Sequence, residues 1–202
     1  MKDKKKLLRE YAEAIITALI LALIIRTYVV QAFKIPSGSM IPTLLVGDHI
    51  LVNKFIYGTK IPFSDNRILA FRKPEKGDII VFKYPENPQK DFIKRVVATG
   101  GDMLEERNKV LYVNGQKVTE QYAQHYDQNI RIGTPDPRDN FGPVLVPKHK
   151  LFVMGDNRDQ SYDSRYWGFV DLNEVLGKAL IIYWSWDPND WVRFSRIGRL
   201  IQ

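Results

Sequence analysis

The chain contains no cysteine. Disulfides, thiol nucleophiles and thiolate-ligated metals are therefore excluded, while the redox compartment stays open. Histidine is nearly as scarce: His49, His125 and His149 are the only three imidazoles, at spacings that resemble no metal site. Neither a metal nor another cofactor is expected. Helical periodicity is hard to find after Leu44, which points away from an α-rich domain. What is present is an ordinary globular composition. With 202 residues, 45% of them hydrophobic, the chain can bury a packed core, and one domain with a subdomain or insertion is expected.

Charge is unevenly placed. Of the net +7, +3 falls on residues 1–10, where Lys2, Lys4, Lys5, Lys6 and Arg9 face only Asp3 and Glu10. Such a cluster suits a nucleic-acid tail, a localisation signal or a membrane surface. Here it abuts an apolar segment, so a membrane partner is expected and no nucleic acid. Residues 11–32 carry Glu13 and Arg26 as their only charges. About 20 residues cross a hydrocarbon core, so the segment suffices if both charges snorkel. A cleavable leader needs a small-x-small site, and residues 28–33 offer a poor one. A helix apolar on all faces belongs to a membrane or a large core. The expectation is a basic cytoplasmic tail over 1–10, an uncleaved single-pass anchor over 11–32, and residues 33–202 on the extracytoplasmic side of the cell membrane.

The remainder reads as β. Residues 49–57, 78–84, 92–98, 110–113, 151–154 and 177–186 are rich in branched and aromatic side chains and bounded by turn signals. Asn114-Gly115 after Val110–Val113 signals a hairpin with a type I′ turn. From about Gln121 to Pro147, Pro135, Pro137 and Pro143 with several Asp and Asn predict a loop-rich excursion. The fold class is therefore mainly β: antiparallel sheets over 33–202 with a smaller β insertion at 104–146, preceded by one transmembrane helix. The aromatic run Tyr183, Trp184, Trp186, Trp191 and Phe194 suits either a core or a membrane interface.

Three stretches carry candidate chemistry. The first is Pro36-Ser37-Gly38-Ser39-Met40, closed by Pro42, directly after the apolar segment. Prolines stop a helix there, and a small hydroxyl beside a glycine suits a nucleophile with nearby amide donors. A plain linker has the same composition. The second is Phe92-Ile93-Lys94-Arg95-Val96-Val97. Side chains alternate in a strand, so Lys94 shares a face with Phe92 and Val96, and Arg95 one with Ile93 and Val97. One cation must point to an apolar face, either as protection of an edge strand or as a desolvated lysine with a lowered pKa. The third is the polar run from Gly155 to Arg165. An EF-hand would need a glutamate where Trp167 stands, and Arg158 and Arg165 would repel a metal, so a network of Asp–Arg pairs fits better.

In this order, behind an anchor, these motifs and Gly77-Asp78-Ile79-Ile80-Val81-Phe82 resemble the type I signal peptidases (leader peptidases) over essentially the whole chain. The resemblance implies a membrane-bound serine endopeptidase that removes signal peptides from exported preproteins by a Ser–Lys dyad and an acyl-enzyme. It implies Ser39 as nucleophile, Lys94 as general base, and the Ser37 hydroxyl with the Ser39 amide as oxyanion hole. Ser161 is similar to the hydroxyl that orients the lysine, and Asp163–Arg165 and Asp156–Arg95 to supporting ion pairs. Ile35, Pro36, Met40, Leu44, Phe92 and Ile93 resemble the lining of a cleft for small side chains. Many relatives have tyrosine where Phe92 stands and proline where Gly100 stands, departures that bear on cleft shape. Two further readings remain open: a Ser-His-Asp hydrolase using His49 or His149, and a non-catalytic anchored β module. Self-cleaving SOS repressors share the Ser–Lys arrangement but carry no anchor. The sequence does not set an oligomeric state.

Overall fold

The computed structural model describes residues 4–60, 67–133, 135–189 and 191–202. The N-terminal run of helix formers gives one helix, α1 (Lys4–Tyr28); Lys2 and Asp3 of the expected basic tail lie outside the described residues. α1 stops short of the expected 11–32 span. β-branched Val29 and Val30 turn the chain into β1 (Val30–Lys34), which pairs antiparallel with β2 (Asp48–Asn53). Tyr11 to Tyr28 then rises about 27 Å, at about 1.5 Å per residue, and still encloses Glu13 and Arg26. No described helix is long and apolar enough to cross a membrane. α1 nevertheless buries none of its residues.

The rest is mainly β and antiparallel. β3 (Tyr57–Lys60) and β4 (Arg67–Ala70) pair antiparallel, followed by β5 (Ile79–Tyr84) and β6 (Asn87–Thr99). Next come β7 (Met103–Arg107), β8 (Val110–Val113), β9 (Gln116–Lys117) and β10 (Phe141–Leu145), a four-stranded sheet in the order β10-β7-β8-β9. β11 (Lys150–Met154) leads through a short α2 (Ser164–Trp167) to β12 (Val170–Asp171), β13 (Val175–Asp187) and β14 (Trp191–Val192). The main sheet runs β1-β2-β13-β5-β6-β11-β12, with β14 on β13.

β5 sits near the middle of that sheet, which explains its nearly unbroken apolar sequence. Ile79 and Val81 join one core cluster with Ile50, Val52 and Ile182. Ile80 and Phe82 join another with Val96, Leu151 and Val153. A third, around Leu104, Leu111, Phe152 and Met154, joins the smaller sheet to the main one. Alternation along β6 follows the same division, with Phe92 packed against the second cluster and Ile93 against the first.

Several local expectations change. The strand expected over 49–57 ends at Asn53, whose Oδ1 accepts hydrogen bonds from the Phe55 and Ile56 amides at 2.9 and 3.1 Å. That Asx-type turn competes with the ladder. The expected loop over 121–147 contains β10, where Pro143 is tolerated because the strand is an edge and its register shifts between Phe141 and Val144. Asn114 and Gly115 both adopt positive φ, 53° and 77°, as a type I′ turn requires. The C-terminal aromatics are not core: Trp191 is 76% exposed and Phe194 77%.

Candidate active site

Ser39 lies in a three-residue 3-10 turn, Gly38–Met40, between β1 and β2, with Ser37 extended just before it. Two contacts from the Gly155–Arg165 loop hold the turn. Asn157 N donates to the Ser39 carbonyl at 3.1 Å, and Asn157 Nδ2 donates to the Gly38 carbonyl at 3.1 Å. Gly155 makes that approach possible. A Cβ there would stand 2.4 Å from the Ser39 carbonyl oxygen and 2.3 Å from Ser161 Oγ, closer than atoms can sit.

Lys94 reaches the turn from β6, with Nζ donating to Ser39 Oγ at 2.6 Å. It is only 4% exposed, and its Nζ lies 5.6 Å from the centre of the Phe92 ring. Burial pulls the ammonium down to about 8, against the opposing charges of Asp163 and Asp156 and with help from Arg165. Arg95, one residue on, points the other way. Its Nε and Nη2 donate to Asp156 Oδ1 and Oδ2, each at 2.8 Å, and Nη1 donates to the Gly77 carbonyl at 2.8 Å. Thr43 Oγ1 donates to Asp156 at 2.5 Å, and the Tyr122 ring centre lies 3.8 Å from the Arg95 guanidinium.

Asp163 is fully buried and receives Arg165 Nε and Nη2, each at 2.9 Å, and the Gly155 amide at 3.0 Å. Burial alone would raise its carboxyl; the Arg165 charge and hydrogen bonds outweigh that and hold it below the usual carboxylate range. Both expected ion pairs are thus present in two-pronged geometry. The Ser161 hydroxyl is buried against Gly155 and makes no hydrogen bond to Lys94; it lies beside Asp163 and helps to hold that carboxyl low.

A cleft of about 320 Å³ opens over Ser39 and Lys94. Ser37, Pro36, Phe92 and Ile93 line it, together with Asp91, Gln160 and Tyr162, which sequence reasoning missed. Gln160 and Tyr162 lie in the polar run, where charge patterning drew attention only to the Asp and Arg residues. Ile35, Met40 and Leu44, expected on the cleft wall, belong instead to the first core cluster and are 2%, 0% and 0% exposed. The tight turn carries Met40 inward, between Ile35 before it and Leu44 after it. No histidine lines the cleft: His49 Nδ1 faces the Gly47 carbonyl at 3.1 Å, and His149 belongs to another concavity. Gly100 lies in that other concavity as well.

An arm from the small-sheet region braces the loop behind the cleft. Glu120 accepts Arg158 Nη1 and Nη2, each at 2.6 Å, with the two side chains 8% and 1% exposed. Gln124 N donates to the Asp156 carbonyl at 2.7 Å, and Arg158 N donates to the Gln124 carbonyl at 3.0 Å. The assembled groups place a serine hydroxyl beside a desolvated amine, backed by two carboxylates each paired with an arginine, in an open groove. That is equipment for acyl transfer.

Comparison with known proteins agrees in kind. A family described as "Signal peptidase, peptidase S26" matches residues 8–184. Signal peptidase I of Pseudomonas fluorescens is 37% identical over 228 aligned residues, covering 97% of this chain and 80% of that one. Signal peptidase I of Aquifex aeolicus is 38% identical, covering 81% and 79%. A solved signal peptidase I structure from Enterococcus faecalis V583 is 34% identical, covering 53% of this chain and 97% of that one, with a TM-score of 0.45.

Proposed function

The chain belongs to the signal peptidase family, peptidase S26, and from that membership we propose that Ser39 is its nucleophile and Lys94 the general base. Membership makes the protein a serine endopeptidase that cleaves signal peptides from preproteins. The observation that carries the residue assignment is the 2.6 Å contact between Lys94 Nζ and Ser39 Oγ. With a pKa of about 8, about one amine in ten is neutral at pH 7, against roughly four in ten thousand for an ordinary lysine. In the neutral state the contact reverses, and the hydroxyl donates to the amine.

The reaction follows from that reversal. Lys94 takes the Ser39 proton as Oγ attacks the scissile carbonyl, and the developing oxyanion is met by the Ser39 amide and the Ser37 hydroxyl. Collapse releases the mature amino terminus, which receives the proton from the Lys94 ammonium and leaves an ester on Ser39. Lys94 then deprotonates a water to hydrolyse that ester. Pro36, Phe92 and Ile93 provide apolar walls for small side chains beside the cut. Asp156–Arg95 and Asp163–Arg165 hold the loop carrying Ser161, whose hydroxyl, beside Asp163, is available to turn toward the amine once it is neutral.

The catalytic domain in this reading is 33–202, with 104–146 inserted in it. It is held at the cell membrane, on the extracytoplasmic side, by α1. Two observations support a lipid contact. α1 buries no residue although Ile15, Ile16, Leu19 and Leu23 are apolar, and Trp191 and Phe194 stand exposed on the β domain. Snorkelling of Arg26 and local bilayer thinning make up the helix's shortfall in length.

Precursor cleavage by Ser39→Ala and Lys94→Ala tests the dyad. Each variant should lose roughly 10⁴-fold or more. Near wild-type turnover in Lys94→Ala would remove the base from the account. Topology is read by protease protection in sealed vesicles, where digestion of the large domain from the cytoplasmic side would contradict the anchor.

A further inference from the structure

A second concavity lies apart from Ser39, and nothing in the reaction uses it. It measures about 430 Å³ and takes Lys73 and Lys76 from the loop before β5, Lys148 from the turn before β11, and Lys150 from the first position of β11. Gly100 lets the chain after β6 pack onto that second turn. A Cβ there would stand 2.9 Å from the Pro147 carbonyl oxygen and 3.1 Å from Lys148 Cα.

Four lysines from two separate segments thus line one hollow. Two are neutralised within the fold: Lys76 Nζ lies 3.5 Å from Asp102, and Lys150 Nζ 3.0 Å from Asp171. Glu75, the one carboxylate on the lining, is engaged by Arg72 at 3.4 Å. Lys73 and Lys148 have no carboxylate partner among the described residues. Between Lys148 and Lys150, His149 adopts φ +63°, a left-handed backbone that a side chain other than glycine takes against its preference. The conformation is fixed from both sides, by the Leu172 amide donating to the His149 carbonyl at 3.0 Å and by the Lys150 amide donating to the Pro147 carbonyl at 3.1 Å. The basic turn is therefore held in shape over a floor that includes Leu151.

Unmatched like charges held on a concave wall over an apolar floor raise the local concentration of a multiply charged anion. We propose that this hollow binds a phosphate group, as soluble phosphate or as the headgroup of an anionic phospholipid, with Lys73 and Lys148 as its paired cationic contacts. The site is independent of the Ser39–Lys94 assignment.

The test is isothermal titration calorimetry on the full chain in uncharged detergent. One arm uses inorganic pyrophosphate; the other compares short-chain phosphatidylglycerol with short-chain phosphatidylcholine. Lys73→Gln/Lys148→Gln is set against Lys117→Gln/Arg199→Gln, which removes the same charge elsewhere. The expected result is saturable binding that the first double variant weakens at least tenfold and the second leaves near wild type. Binding confined to pyrophosphate assigns a soluble ligand, and binding confined to phosphatidylglycerol assigns the headgroup. No saturable binding in either arm, or equal weakening by both double variants, overturns the proposal.

Discussion

A Lys94→Met substitution keeps a long unbranched side chain in β6 and removes its titration. Burial lowers the Lys94 pKa to about 8, against the opposing pull of Asp163 and Asp156. The folded value lies below the unfolded one, so the unfolded chain binds the proton more tightly and the ammonium disfavours folding in full below about 8. At about 1.36 kcal/mol per unit, the shift corresponds to roughly 3 kcal/mol. That penalty fades as pH rises from about 8 toward the unfolded lysine value of about 10.4. The lost Ser39 contact offsets about 1 kcal/mol of the gain. The methionine variant should therefore be inactive yet more stable than wild type by on the order of 2 kcal/mol at pH 7, an advantage that shrinks by about 2 kcal/mol by pH 9.5. Urea unfolding of the full chain in detergent at the two pH values measures it. A variant no more stable than wild type at pH 7, or a difference that does not move with pH, would refute desolvation as the source of the shifted base.

Other expectations follow from the same geometry. The kcat/KM for a precursor peptide should rise with pH and level off above a midpoint of about 8, because only the neutral amine accepts the Ser39 proton; a flat profile between about pH 6 and 10 counts against Lys94. Gly155→Ala places a Cβ 2.4 Å from the Ser39 carbonyl oxygen. It should cost about 100-fold or more in cleavage and about 1–3 kcal/mol in stability, and unchanged turnover would mean that the turn tolerates displacement. Tyr122→Leu removes the ring that lies 3.8 Å from the Arg95 guanidinium. Thermal unfolding should reveal a loss of about 1–2 kcal/mol, and no shift would show that the arm does not brace the ion pair.

Ser39 and Lys94 can be picked out from the sequence because each breaks a local pattern: a hydroxyl between helix-stopping prolines, and a cation inside an apolar strand. Period-2 alternation also sends Arg95 away from Lys94, and the structure pairs them with Asp156 and Ser39 respectively. The cleft wall is harder to read. Met40 and Leu44 lie in and beyond a tight turn, where three residues per turn replace strand alternation and direct apolar side chains inward. The arm that joins Glu120 to Arg158 and Tyr122 to Arg95 comes from a polar stretch without periodicity. Its contacts span dozens of residues, and no local pattern marks them. The end of the helix at Tyr28 is hidden for the opposite reason: Val29 and Val30 are apolar enough to extend an anchor and branched enough to begin a strand.

The central claim is a covalent intermediate on Ser39, and trapping it is the most direct measurement. Wild type turning over a precursor peptide is quenched in acid within a single turnover, digested, and mapped by mass spectrometry. The account predicts a signal-peptide acyl group on the fragment carrying Ser39, present in wild type and absent from Ser39→Ala and Lys94→Ala. An acyl group on any other residue, or one that still forms in Ser39→Ala, would contradict it.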